Sequence, residues 1–409
     1  MNSLFRVSYT ISFFFLFSSL CNTSILVAAH DPYDPTGNIT IKWDVMSWTP
    51  DGYVAVVDIV NSQLYRTVQP PGWKLGWTWA RRDEDEILWS VFGGQAIDQG
   101  NCSRFISNIP HSCSKRPVIV DLPTDTTLNQ RITNCCRGGR LSSRYQAINK
   151  STASFQISVG NAGTTNRTVR MPKNFTFVGG RAEYTCGPAK MARLSRFTTP
   201  DGRRITQALL TWKVVCTYKR ANVANKLPTC CVSLSSFNQQ KKANCPTNSC
   251  GRRMETCNTQ GNPGIVPPLL KCTDHMCPVN IKLQILQQPK EKGAYMTVNV
   301  SIVNFNYRMN YIDWTLLVNH PFINKLTRVI HANHKQFPNI KMAQLMWGIK
   351  RRNDIITTSG RKGSAISWVM QLYKDSSTNA TSTSSSCKKD WCAPNEILFN
   401  GDRCVIASL

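Results

Sequence analysis

Residues 38–48 read NITIKWDVMSW, with Ile39, Ile41, Trp43 and Val45 falling on one side and Thr40, Lys42 and Asp44 on the other. A two-residue period of this kind marks a β-strand with one buried face. The turn Pro50-Asp51-Gly52 follows, and then a second β-rich run, YVAVVDIV at 53–60, so the pair predicts an antiparallel hairpin. Similar short runs recur at Pro117–Leu122, Ser154–Val159 and Gln207–Tyr218, with a further turn at Pro200-Asp201-Gly202. No amphipathic helix of useful length precedes residue 220, and the pattern predicts an antiparallel sandwich.

Between Thr229 and Pro278 the composition changes. Seven cysteines stand there among Gly, Pro, Asn and Lys, a stretch that cannot bury a core and needs disulfides to hold a shape. Strand patterns return with IKLQIL at 281–286, then Tyr295–Phe305, Ile312–Val318 and Ala365–Tyr373, while SSTNATSTSSS at 376–386 reads as a flexible loop. The expected fold is therefore all-β: two antiparallel β-sandwich domains joined by a cysteine-rich, disulfide-held segment. The expected boundaries are a signal peptide over 1–29, a first β-domain over 30–227, the cysteine-rich segment over 228–280 and a second β-domain over 281–409.

The N-terminus sets the compartment. Arg6 is the only charge before His30, the apolar run ISFFFLFSSL fills 11–20, and Val27-Ala28-Ala29 offers small residues for cleavage. This is the form of a secretory signal peptide and is too short for a membrane span. Its removal takes Cys21 from the seventeen cysteines and leaves sixteen, which in an oxidising compartment implies disulfides whose pairing the sequence does not supply. Asn38, Asn101, Asn149, Asn166, Asn174, Asn299 and Asn379 each begin an N-x-S/T sequon and are the expected N-glycosylation sites. The formal charge of +26 would suggest nucleic acid inside a cell, but an exported chain meets acidic polysaccharides and anionic surfaces instead.

Enzymatic chemistry is poorly supplied. A glycosidase needs two facing carboxylates, yet the chain has six glutamates, and the run Asp83-Glu84-Asp85-Glu86 reads better as a solvated cap than as an acid–base pair. There is no G-x-S-x-G elbow and no H-E-x-x-H. Cys272-Thr-Asp-His275-Met-Cys277 superficially resembles a metal site, but disulfides are the expected fate of those cysteines. His331 and His334 are spaced to share a helix face but lack a third ligand. No catalytic residue, metal or cofactor is expected.

Tryptophan is the residue left to explain. PGWKLGWTWARRDEDEILWSVFGGQ at 71–95 carries Trp73, Trp77, Trp79 and Trp89, and Trp43 and Trp48 precede it. Flat indoles suit the apolar C–H face of a sugar ring, and Trp77 and Trp79, at i and i+2, fall on one side of a strand about 6.5 Å apart. The alternative is a buried core, for which Trp43 and Trp89 are the better candidates. Spacing alone does not decide between the two.

The chain also resembles the COBRA-like family of plant cell-wall proteins. The resemblance rests on YDPTGNITIKWDVMSWTPDGYVA (33–55), PPGWKLGWTWA (70–80), Asn134-Cys135-Cys136, AGTTNRTV (162–169), MPKNFTF (171–177), YTCGPAK (184–190), QALLTWKVVCTY (207–218) and Cys230-Cys231-Val232-Ser233. It continues through NFNYRMNY (304–311), MWGIK (346–350) and FNGDRCV (399–405). It implies a cellulose-binding-like first domain, a cysteine-rich CCVS region, a C-terminal domain and a glycosylphosphatidylinositol anchor. It further implies a non-enzymatic role in cellulose microfibril organisation, wall biogenesis and oriented cell expansion.

Carried onto this sequence, the glycan-binding aromatics are sought among Trp48, Tyr53, Trp73, Trp77 and Trp79, with Trp43 either core or platform. Trp73, Trp77 and Trp79 are expected at a sugar-facing edge and Trp89 inside. Cellulose is the expected partner, with acidic pectin bound by lysines and arginines as the alternative and a glycan-active enzyme as the most distant one. Nucleic acid is not expected.

The chain departs from the family pattern in three places. The stretch Arg81–Ile87 is unusually acidic, Ser112-Cys113 replaces a cysteine pair, and only Val-Ile-Ala-Ser-Leu follows Cys404. The expected location is thus the cell wall or extracellular space, reached by the secretory pathway, or the outer face of the plasma membrane if a family-type anchor signal has been lost by truncation.

Overall fold

In the computed structural model, residues 31–80, 86–198, 201–219, 228–233, 277–287, 295–321, 323, 326–337, 340–373 and 394–406 are described. The expected signal peptide, Asp83–Asp85, the 376–386 run, Asn379 and most of the cysteine-rich segment lie outside them. The chain divides into a unit ending at Pro35 and a second from Thr36 to Leu409. Of the first, the described part is a turn in which Asp31 Oδ1 accepts the Tyr33 N–H at 3.0 Å.

The second unit begins with the predicted hairpin, β1 (Ile39–Thr49) and β2 (Gly52–Asn61). Ile39, Ile41, Trp43 and Val45 are all buried, as their period requires. There follow β3 (Trp73–Thr78), β4 (Ile87–Phe92), β5 (Gly94–Ala96), β6 (Val118–Asp121), β7 (Thr152–Gly160), β8 (Lys173–Gly179) and β9 (Ala182–Cys186). The short β10 (Lys190–Met191), β11 (Arg196–Thr198) and β12 (Ile205–Gln207) lead into β13 (Leu210–Lys219). The main path runs β4-β7-β2-β1-β13-β9-β8-β3-β6-β5.

This path folds over on itself at β13. The first part of β13 pairs with β1, from Leu210 opposite Val45 to Cys216 opposite Ile39. From Cys216 onward it pairs with β9 instead, and the Cys186–Cys216 disulfide pins the corner. The two halves then face each other as a sandwich. Trp43 on β1 meets Trp77 on β3 edge to face at 5.1 Å, and Trp73 on β3 stacks on Phe155 of β7 at 5.9 Å.

The second β-body starts earlier than the sequence suggests. CCVS forms β14 (Cys230–Ser233), which lies in a sheet with β15 (Val279–Gln287) and β16 (Tyr295–Asn304). The remaining strands are β17 (Tyr311–Ile312), β18 (Thr315–Asn319), β19 (Leu326–Ile330), β20 (Asn333–Gln336), β21 (Ala343–Trp347), β22 (Ile355–Ile356), β23 (Ala365–Tyr373), β24 (Glu396–Phe399), β25 (Asp402–Arg403) and β26 (Val405–Ile406). One sheet runs β19-β23-β16-β15-β14-β26 and the other β20-β21-β18-β24-β25. Trp368 of the first stacks on Trp314, which precedes β18, at 5.2 Å.

Two expectations need correction here. The sandwich is not wholly antiparallel, because β14 runs parallel to both β15 and β26. Cys230–Cys404 and Cys231–Cys277 hold that parallel edge, the first across 174 residues of chain. His331 and His334 do not share a helix: His331 turns the chain at a φ of 74°, and His334 lies exposed on β20.

The two sandwiches meet directly. Thr315 Oγ1 donates to the Tyr65 carbonyl at 3.0 Å, Gln69 Nε2 donates to the Ile312 carbonyl at 3.0 Å, and Lys150 pairs with Asp313 at 3.3 Å. Arg66 Nη1 donates to the Gly401 carbonyl, and Phe337 lies between the rings of Tyr65 and Tyr145.

One carboxylate on the first sandwich gives a pH test. Asp58 on β2 accepts the Ser154 hydroxyl at 2.6 Å, and burial raises its pKa above the ordinary 3.8. A raised carboxyl favours the folded state when protonated, so its contribution is complete below the unfolded pKa and is lost as pH rises through the folded one. Asp58→Asn cannot titrate, so it should melt higher than the wild type at pH 7, with the difference shrinking toward pH 4. Thermal melts at both pH values decide the point, and a difference that does not change with pH would remove Asp58 as its source.

Candidate glycan-binding surface

The structure reverses the expected placing of the tryptophans. Within β3, Trp73, Leu75 and Trp77 alternate inward and Lys74 points out, because the strand lies between β8 and β6 with its apolar side on the core. Trp77 and Trp79 do share a side, as the i and i+2 spacing requires, but their rings meet edge to face at 5.4 Å and are not coplanar. Trp73, Trp77 and Trp79 are exposed by only 1%, 2% and 7%, and Tyr53 by 0%. They are core residues and present no platform.

The clue was the residue between the tryptophans. WKLGWT puts Trp, Leu and Trp on one face and Lys, Gly and Thr on the other, which is the parity of a half-buried strand. Tyr53 is likewise spent on packing, since burial first and the nearby Glu86 charge second push its phenol well above 10.

Trp43 fulfils its core reading, stacked at 5.9 Å on Trp212. Trp89, expected inside, is half-exposed. A register shift between Leu88 and Ser90 against β7 places it at a bulge, and bulges re-aim the side chain they carry. Its indole Nε1 donates to Asp51 Oδ2 at 2.9 Å. Gly160 makes this possible, since a Cβ there would sit 2.1 Å from that nitrogen.

The turn that positions Asp51 also carries Trp48, half-buried opposite Tyr53 in the β1–β2 register. Phe105 meets Trp89 edge to face at 5.2 Å, with the Arg104 guanidinium 4.9 Å from its ring. The Cys102–Cys113 disulfide closes the loop that holds both, and Leu88 and Ser112 pair across it. Three partly exposed aromatic groups lie toward one end of the first sandwich, Trp48 beside the Asp51 turn and Trp89 with Phe105 against it, while the exposed Phe92 stands at the other end of β4. Sequence reading found Trp48 there and missed Trp89 and Phe105, because a bulge and a disulfide pairing are set by distant strands.

Acid–base chemistry finds little to work with among the described residues. Asp44 is enclosed and accepts the Ser195 and Thr211 hydroxyls at 2.6 and 2.5 Å. Asp121 accepts three backbone N–H groups, from Cys136, Arg137 and Gly139, and Glu86 Oε2 accepts from Ala80 at 3.3 Å. Both cysteines of the CCVS strand are in disulfides, and Cys277 is the partner of Cys231, which removes Cys277 from the metal-like stretch.

A cavity of about 50 Å³ lies at the junction of the sandwiches, lined by Arg66, Gln69, Arg181, Tyr184, Tyr311 and Asp402. At ~10–15 Å³ per water it has room for a few waters and not for a sugar ring. Burial pushes the phenols of Tyr184 and Tyr311 up to about 12, so neither is a proton donor or acceptor near neutrality.

The expected glycosylation sites differ in access. Asn101, Asn149, Asn166 and Asn174 are exposed, and Asn38 and Asn299 are half-buried.

Comparison with known proteins adds the following. Residues 53–219 match the COBRA N-terminal domain and residues 264–409 the COBRA family C-terminal domain. COBRA-like protein 1 of Oryza sativa subsp. japonica is 47% identical over 407 residues, covering 95% of this chain and 87% of its own. Protein COBRA of Arabidopsis thaliana is 45% identical over 413 residues, covering 96% and 87%. COBRA-like protein 2 of the same plant is 46% identical over 422 residues, covering 99% and 92%. None of these names denotes an enzyme.

Placement in core or surface separates the two tryptophan classes by stability. Trp77→Ala should cost about 3–5 kcal/mol, the usual price of an emptied aromatic core site. Trp89→Ala should cost about 1–2 kcal/mol, from one hydrogen bond and partial packing. Urea denaturation of the two variants measures both, and equal losses would contradict this assignment.

Proposed function

The chain belongs to the COBRA family, and from that premise we propose that it is a secreted, non-enzymatic glycoprotein of the cell wall that binds cellulose. Binding through the aromatic end of the first sandwich would let it influence microfibril organisation during wall biogenesis and oriented expansion. The observation that carries the reading is the construction around Trp89. A bulge, a carboxylate bond from Asp51 and a disulfide-closed loop all serve to hold an aromatic side chain half in solvent.

A glucan chain offers flat, weakly polar C–H faces in a row. Trp48, Trp89 and Phe105 supply ring surface for those faces, while Asp51 and the indole N–H groups supply polar partners for hydroxyls at the ring edge. Dispersion contact of this kind does not depend on salt, in contrast to charge attraction. A wall location reached through the secretory pathway, with or without a lipid anchor, is part of the proposal, as are glycans at the exposed sequons.

The test is retention of the full secreted chain on microcrystalline cellulose at low and at high salt. Binding should survive high salt, and Trp48→Ala/Trp89→Ala should weaken it at least about tenfold, or about 1.4 kcal/mol, in a variant that is still secreted and still folded at the assay temperature. Undiminished retention of that double variant would refute the aromatic-end reading. Release of reducing ends from glucans by the purified chain would refute the non-enzymatic one.

A further inference from the structure

The outer face of the first sandwich carries a second feature that the aromatic end does not use. β13 has β1 on one side and β10 on the other, with Lys213 directly opposite both Lys42 and Lys190. In-register partners point to the same face, so three lysines lie side by side across three strands, about 4.8 Å apart from strand to strand. Lys42 is offset by Asp44 at 3.5 Å and by Asp58 opposite it on β2. Lys190 and Lys213 are exposed, and like charges placed directly opposite are destabilising in a sheet.

The surroundings are of the same sign. From Lys190 to Lys219 seven basic residues stand against one acid, Asp201. Among the described residues no carboxylate forms an ion pair with Lys190, Arg193, Arg196 or Lys213. The β11–β12 hairpin lies beside the row, since the Phe197 ring is 5.9 Å from the Lys42 ammonium and Ser195 Oγ donates to Asp44. Arg203 and Arg204 follow its Asp201-Gly202 turn. Apolar side chains stand near the charges in the same segment: Ile205, Leu209 and Val215 are exposed by 66%, 44% and 37%.

We propose that this face, from the Lys190–Lys213 pair to the β11–β12 hairpin, is a binding site for an acidic polysaccharide whose sugar rings carry carboxylates. A polyuronate meets both parts of the surface at once. Its carboxylates accept forked hydrogen bonds from arginine and charge from lysine, and its C–H ring faces cover the apolar side chains between them. An anionic membrane is the poorer fit, because Asp201, Arg203 and Arg204 occupy the described part of the turn and Ile205 is the one large exposed apolar residue beside it, too little to insert. The site is distinct from the Trp48–Trp89 end and does not depend on cellulose binding there.

Affinity electrophoresis of the full secreted chain through gels containing polygalacturonate tests the assignment. Wild-type protein should be retarded, less so at high salt and less so in fully methyl-esterified pectin, where the carboxylates are blocked. Lys190→Ala/Arg193→Ala/Arg196→Ala/Lys213→Ala should bind at least about tenfold more weakly, the combined effect of four exposed charge contacts. The charge-matched Lys341→Ala/Lys350→Ala/Arg361→Ala/Lys362→Ala should bind as wild type, and both variants should keep wild-type retention on cellulose. Equal loss in the two variants would reduce the effect to net charge and overturn the site. So would undiminished binding by the first variant, or wild-type binding to phosphatidylserine vesicles without binding to polygalacturonate.

Discussion

The stack of Trp43 on Trp212 constrains everything around it. The two residues are direct partners across β1 and β13, with ring centroids 5.9 Å apart and planes 18° from parallel. Trp77 and Trp79 close on Trp43 from the opposite layer at 5.1 and 6.4 Å, each edge to face. Four indoles therefore fill the space between the layers, and aromatic pairs in these geometries contribute about 0.5–1.5 kcal/mol each beyond their burial. The arrangement has a consequence for function. With most of its tryptophan committed to the interior, the first sandwich keeps its partly exposed indoles, Trp48 and Trp89, toward one end, where strands stop and loops begin.

That division explains what could be read in advance. β1 was legible because alternation is a local property and Ile39 to Val45 keep it. β2 was legible as a β-rich run after a turn, but not in its facing, since Val54, Val56 and Val60 are apolar and lie on its half-buried side. The same rule, applied to WKLGWT, gives the inward face of β3 through Leu75. The aromatic spacing at Trp77 and Trp79 drew attention to a shared side without saying which side it was. Trp89 was not legible, since its exposure comes from a register shift against β7, seventy residues further along the chain. The place of CCVS was hidden for a similar reason. Its strand pairs in parallel with two segments distant in sequence, and the disulfides that secure it reach Cys277 and Cys404.

Charge was legible in amount and not in position. The excess of 49 basic over 23 acidic residues is a global number, and a uniform excess would merely keep a glycoprotein soluble. What makes it local is strand order. β10 and β1 flank β13 at the same register, so Lys213 becomes the neighbour of Lys42 and of Lys190, 171 and 23 positions away in the chain, on one face. The carboxylates on this face, Asp44 and Asp58, lie beside Lys42, and among the described residues none pairs with Lys190 or Lys213.

The two ends of β2 are not equivalent, and this bears on how a bound ligand would be sensed by the rest of the molecule. At its start lies the Asp51 turn with Trp48 and Trp89. Beyond its end lie Tyr65, Arg66 and Gln69, which bond to the second sandwich at Thr315, Gly401 and Ile312. The same polarity holds for β7, whose last residues adjoin Trp89 and whose first follow Lys150, the partner of Asp313. A ten-residue strand spans about 30 Å, so the aromatic surface and the junction are separated by the length of the sheet and joined by continuous hydrogen-bonded backbone. A module on a flexible tether orients itself on its ligand independently of its neighbour. Here the junction is fixed by buried hydrogen bonds and by Phe337 held between Tyr65 and Tyr145. Were the first sandwich to bind a polysaccharide surface as proposed, its orientation there would also set the direction in which the second one points.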